Sequence, residues 1–98
     1  MTVPAGYEKL AAVFEAAMAE AAEGKGRDRH ASGEPFDRQP MMAIAAMVGV
    51  GFPLGQVQKK AQEAARFAQA GDVERARAEI LGGINYFAGA LIALEGRR

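Results

Sequence analysis

The sequence predicts an all-α protein: a four-helix, mostly antiparallel bundle with a short second helix, assembled as a homo-oligomer. Three observations lead there. Alanine is used heavily, and strand-forming residues never alternate with polar ones over a useful length. Apolar residues recur instead at helical spacing, between glycine and proline punctuation. The last such stretch is apolar around almost its whole circumference, more than a 98-residue chain can cover by itself.

The first helix is expected from about Pro4 to Glu23. Proline suits a first turn. Tyr7, Leu10, Phe14, Ala17, Met18 and Ala21 recur at helical spacing, while Glu8, Lys9, Glu15 and Glu20 take the other side. Gly24 and Gly26 end it. Residues 24–37, GKGRDRHASGEPFD, form a glycine-rich basic loop, with three glycines, a proline and seven titratable side chains including His30. It is longer than most helix–helix connections, and such loops are often functional.

The second helix is expected from about Arg38 to Val48, with Asp37 as N-cap and Pro40 in the first turn. Met41, Met42, Ile44, Ala45, Met47 and Val48 leave almost no polar face, so this helix belongs inside the fold or in an interface. Gly49 stops it and Pro53 starts a third helix, running to about Ala70. There Leu54, Val57, Ala61, Ala64, Ala65 and Ala68 are expected to face inward. Gln58, Lys59, Gln62, Glu63 and Arg66 are expected to face water. Gly71 stops it and Asp72 caps the fourth helix, from about Val73 to Glu95.

That fourth helix opens with Glu74, Arg75, Arg77 and Glu79, then is apolar from Ile80 to Leu94 except at Asn85. Ile80, Ile84, Phe87, Leu91 and Leu94 make one face. Gly82, Tyr86, Gly89 and Ala93 make a second, mostly small one. Three other helices are a thin supply of cover, so a second copy is expected to lie on the glycine face. A compact monomer covered by the first and third helices is the alternative.

Bulk composition narrows the function. Residues 1–98 make one domain. Without cysteine there is no disulfide, thiolate metal site or thiol catalysis, which fits a reducing cytoplasm. One histidine builds no His-based zinc site. Twelve basic residues against twelve acidic ones argue against general nucleic-acid binding. The start, Met1-Thr2-Val3-Pro4, lacks the features of a signal peptide. The run from Ile80 to Leu94 is shorter than the roughly 20 residues of a membrane span. The expectation is a soluble, cytoplasmic protein with no membrane partner.

Three constellations are candidates for chemistry. Lys25, Arg27, Arg29 and His30, followed by Arg38, put cations among glycines, where guanidinium forks and backbone amides suit phosphate or carboxylate. The same run also reads as a solvated loop. The turn Gly49-Val50-Gly51-Phe52-Pro53-Leu54-Gly55 precedes a helix N-terminus, where free amides of Leu54, Gly55 and Gln56 and the charge of Lys59 or Lys60 would suit an anion. It also reads as a tight interhelical turn. It is neither a dinucleotide fingerprint nor a P-loop, because a helix precedes it and no Gly-Lys-Ser/Thr follows. Asn85, buried in an apolar helix, needs a partner. That is either its twin across a symmetry axis or the polar edge of a ligand whose ring stacks on Tyr86, Phe52 or Phe36.

The sequence offers little for catalysis. Ser32 is the only serine, two residues from the only histidine, so no triad forms. Glu20 and Glu23 share a helix face at a spacing that suits a metal or, more often, plain solvation. No cofactor and no metal site is expected.

The stretch Glu79-Ile80-Leu81-Gly82-Gly83-Ile84-Asn85-Tyr86-Phe87-Ala88 resembles the last helix of small phage- and prophage-encoded proteins of unknown function. The segments GKGRDRHASGEPFDRQP and GFPLGQ…KKAQEA extend the likeness over about residues 24–95. The Glu79 helix also resembles that of all-α nucleoside triphosphate pyrophosphohydrolases, which place a Glu-x-x-Asp pair there for magnesium. This chain has Glu79 but Gly82 at the Asp position, which removes a metal ligand.

These readings lead first to a non-catalytic, phage-type binding protein that sequesters a small anionic ligand, a signalling nucleotide foremost, near a subunit interface. The expected ligand residues are Lys25, Arg27, Arg29, His30, Phe36, Arg38, Gly51, Gly55, Lys59, Asn85 and Tyr86, and self-association is expected through helix 73–95. The alternatives are a module that docks its methionine-rich second helix on a host defence protein, and a degenerate magnesium-dependent nucleotide hydrolase using Glu20, Glu23 and Glu79.

Overall fold

A computed structural model describes residues 2–23 and 34–97. Among these the chain is all-α, with four α-helices and no strand. The helices are α1 (Glu8–Glu23), α2 (Pro40–Val48), α3 (Gly51–Gln69) and α4 (Val73–Glu95), with one 3₁₀ turn, Phe36–Arg38, ahead of α2.

The boundaries follow from local backbone chemistry. α1 starts four residues later than expected. Gly6 at φ 88° closes a turn in which the Tyr7 amide donates to the Pro4 carbonyl at 3.1 Å. α2 starts at Pro40, not Arg38, and Asp37 does not cap it. A residue before proline is driven to extended backbone, and Gln39 accordingly sits at ψ 161° as N-cap, without a side-chain cap. α3 starts two residues before Pro53, which its third position tolerates because no amide is needed there.

Between α2 and α3, Gly49 takes φ 96° and ψ 176°, a region open essentially to glycine alone. α3 ends in a Schellman motif. The Asp72 amide donates to the Phe67 carbonyl at 2.9 Å, the Gly71 amide donates to Ala68 at 3.1 Å, and Gly71 sits at φ 79°. Asp72 then caps α4, its Oδ1 accepting from the Arg75 amide at 3.1 Å, and α4 has the limits the sequence predicts.

α4 is the element on which α1, α2 and α3 pack. The buried apolar side chains are small: Ala17, Ala45, Ala64, Ala76, Leu81 and Ala90, with Pro53 fully enclosed. The glycine face of α4 is used inside the chain, not left for a second copy. A methyl group at Gly89 would lie 2.6 Å from Met41 Cε, and one at Gly82 would lie 3.3 Å from Lys60 Cε. Those glycines let α2 and the Lys60 stem lie close over the helix.

The exposed surface is instead the opposite face. Ile80, Phe87, Leu91 and Leu94 are all more than half exposed, and Phe87 and Leu91 share a groove with the exposed Phe14 and Met18 of α1. On α3 the inward row is Pro53, Val57, Lys60, Ala64 and Phe67, whereas Leu54, Ala61, Ala65 and Ala68 are exposed. Alanine fits either side of a helix, so two overlapping stripes were open. The long Lys60 stem, with its ammonium paired to Glu79, decides between them. α2 buries only Ala45, and Met47 stays 84% exposed. By length and composition α4 is also apolar enough to cross a membrane, which the shorter run Ile80–Leu94 concealed.

Candidate functional site: a polar cavity beside an apolar groove

α3 and α4 meet through side chains of mixed chemistry, because Gly82 leaves space where a larger residue would fill the contact. Lys60 reaches across that space to Glu79, Nζ to Oε2 3.3 Å, with both side chains mostly buried. Glu79 Oε2 is shielded from solvent and accepts no hydrogen bond. Around this pair lies a cavity of about 320 Å³, within the range of small-ligand pockets. Phe36, Phe67 and Tyr86 supply rings to its wall, Gln39 and Asn85 supply amides, and Glu20, Glu63, Lys60 and Arg75 supply charge.

Several of these groups are held in place. Asn85 Nδ2 donates to the Ala17 carbonyl at 2.9 Å, tying α4 to α1 and orienting the amide. Tyr86 packs edge-on to Phe52, centroids 6.5 Å apart at 84°, and burial raises its hydroxyl pKa above the ordinary 10.0. Two guanidinium groups lie over the Phe67 ring, Arg66 at 5.3 Å and Arg75 at 5.7 Å from its centroid. Arg75 is also paired with Asp72 at 3.5 Å and remains largely solvated at the cavity edge.

A second, open groove of about 1050 Å³ adjoins the cavity, and Ala21, Phe36, Gln39 and Asn85 form part of both walls. The rest of the groove is mainly apolar: Phe14 and Met18 from α1, and Ile84, Phe87, Leu91 and Ile92 from α4. This is the bare face described above.

Of the residues singled out by sequence, Phe36 and Asn85 line both spaces and Tyr86 lines the cavity. The Asn85 Nδ2 group finds a partner on its own chain, the Ala17 carbonyl. Lys25, Arg27, Arg29 and His30 lie outside the described residues. The chain leaves and re-enters the described part beside the groove, since Ala22 and Glu34 both line it.

Arg38 is exposed on the 3₁₀ turn and lines neither space. The helix-three anion site is not formed as expected. α3 already begins at Gly51, so the Leu54 amide donates to Val50 at 3.1 Å, and Gly55 and Gln56 stand inside the helix. Gly51 and Gly55 are exposed and away from both spaces. Lys59 points outward, 69% exposed and 3.9 Å from Glu63, and its neighbour Lys60 takes the inward place.

Sequence reasoning missed Gln39, Phe67 and Arg75 as site residues, and it named Lys60 only as an alternative to Lys59. Lys60 was findable from its spacing to Val57 and Ala64, and Gln39 from its place before Pro40. Phe67 and Arg75 meet only because the turn at Gly71 folds α4 back beside α3. Glu20 and Glu79 line the cavity but Glu23 does not, and among the described residues no three metal-ligating side chains cluster.

In structural terms the chain is an all-α protein with a cavity of mixed polar and apolar lining beside a bare apolar groove. No family model, no characterised protein and no solved structure matches it.

Proposed function

We propose that the chain forms a bundle that self-associates and acts as a non-catalytic binding protein for a small anionic ligand, a nucleotide foremost, held in the α3–α4 cavity near a subunit boundary. One observation carries this reading. Aromatic rings and amides converge on a cavity that carries Glu20, Glu63 and the Lys60–Glu79 pair inside and Arg75 at its solvated edge, and its wall continues into an uncovered apolar groove. Rings suit a base, amides suit its polar edge, and Arg75 at the solvated edge suits a phosphate. A second copy laid on the groove would place the cavity at the boundary between subunits. The basic residues between Glu23 and Glu34 would add to the anion site on this reading. Sequestration of a signalling nucleotide by a phage-type protein is the biological form of this reading.

A panel of nucleotides in a melting assay, with and without magnesium, tests it. The expected result is a magnesium-independent rise in Tm that Arg75→Ala and Arg27→Ala both diminish. No rise with any nucleotide refutes the reading. Turnover that needs magnesium and disappears in Glu79→Gln would favour the hydrolase alternative instead.

Docking on a host protein is kept as a second reading because of α2. Ile44, Met47 and Val48 form an exposed apolar tip, and Met47 is the most exposed of the large apolar side chains there. Met47→Glu abolishes capture of such a partner on this reading and leaves nucleotide binding intact.

A further inference from the structure

The charges in the cavity are distributed unevenly, and that bears on which end of a nucleotide enters. Three carboxylates, Glu20, Glu63 and Glu79, face two cations, Lys60 and Arg75. Lys60 is deep and already paired with Glu79, 3.3 Å away. Arg75, its side chain 72% exposed, stands at the outer edge. With Glu79 paired to Lys60 and Glu63 partnered from outside by Lys59 at 3.9 Å, Glu20 is the carboxylate left uncompensated, so a phosphate would be repelled from the interior. A group that presents N–H donors would be attracted.

Resting on the nucleotide reading above, we propose that the cavity takes the base rather than the phosphate, and that its acceptors select a guanine-type edge. Guanine offers a ring N–H and an adjacent amino group on one edge. Hypoxanthine offers the ring N–H alone, and uracil offers a single N–H on a smaller ring. Glu20, for which no ion pair is formed among the described residues, and the Glu79 oxygen other than the shielded, Lys60-paired Oε2 supply the acceptors. The Asn85 Nδ2 group is already engaged by the Ala17 carbonyl. Phe36 and Tyr86 offer faces or edges for the ring. The phosphate then lies outward, at Arg75.

Isothermal titration of the full chain with GMP, IMP, AMP and UMP reads this directly. GMP is expected to bind about tenfold or more tightly than IMP, because only the amino group differs and its acceptor is charged. Glu20→Gln and Glu79→Gln are each expected to narrow that gap. Using both guards against loss of the Lys60 pair unfolding one of them. Arg75→Ala is expected to weaken all four ligands alike and keep the GMP-to-IMP ratio. Equal binding of the four nucleotides overturns base selection but leaves the nucleotide reading standing. A GMP preference that survives both glutamine variants overturns the assignment of the acceptors. Failure of every nucleotide to bind removes both readings.

Discussion

Asp72 shows how one side chain sets a boundary. It accepts from the Arg75 amide at the start of α4 and pairs with the Arg75 side chain. Asp72→Ala is expected to cost about 1 kcal/mol, read as a lower midpoint in urea denaturation with unchanged slope. Gly71, at φ 79°, is the other half of that turn, and Gly71→Ala should cost about 1 kcal/mol for the left-handed backbone. Asn85→Ala removes the second donor to the Ala17 carbonyl, which keeps its helical partner within α1, and should cost about 1 kcal/mol.

Tyr86 gives the fold a pH dependence at the alkaline end. Burial raises its pKa in the folded chain, so the unfolded chain ionises first as pH rises past 10.0. Stability is complete below that value and declines as pH climbs toward the folded pKa. Tyr86→Phe should flatten that part of a Tm-against-pH curve, and an unchanged curve would show that other groups govern it.

The helices differ in how they are held. α3 and α4 share the longest contact, the Schellman turn and the Lys60–Glu79 pair. α1 packs chiefly on α4, buries only Ala17, and leaves Leu10, Val13, Phe14 and Met18 exposed. An element with so little buried area opens first. Amide hydrogen exchange at low protein concentration should therefore show α1 exchanging ahead of the α3–α4 pair, and protection of α1 equal to that of α4 would contradict this.

Helical spacing made all four helices visible in the sequence, and the punctuation at Gly71-Asp72 fixed α4 to the residue. Spacing could not tell which stripe of α3 packs, because alanine at 61, 64, 65 and 68 is acceptable on either side. It also could not place Gln39, whose extended backbone follows from Pro40 but whose burial depends on α4 lying beneath α2.

For the molecule as a whole, the decisive feature is a small core beneath a large exposed apolar face. Apart from Leu81 and Pro53, the buried apolar side chains are all alanines, while Phe14, Met18, Phe87 and Leu91 stand in water. A charge placed in that face should cost the isolated chain little and the proposed assembly much. Leu91→Glu is expected to move the sedimentation profile toward single chains while far-UV circular dichroism stays helical. A wild-type chain that is already monomeric at micromolar concentration would end the self-association proposal. Because groove and cavity share a wall, assembly and ligand affinity should be linked, with nucleotide binding weakening as the protein is diluted past its association midpoint.

The sequence by itself determined that the chain is helical, where glycine and proline divide it, and that α4 carries apolar residues all round. Those are matters of local spacing and backbone preference, which act within a few residues. Tertiary structure alone decided which face of α4 is spent inside. Glycine is both a weak helix former and a place for close approach, and only the positions of Met41 and Lys60 reveal the second role. It also decided that Lys60 rather than Lys59 enters the cavity. Neighbouring lysines are alike in composition and differ only in the direction the helix turns them.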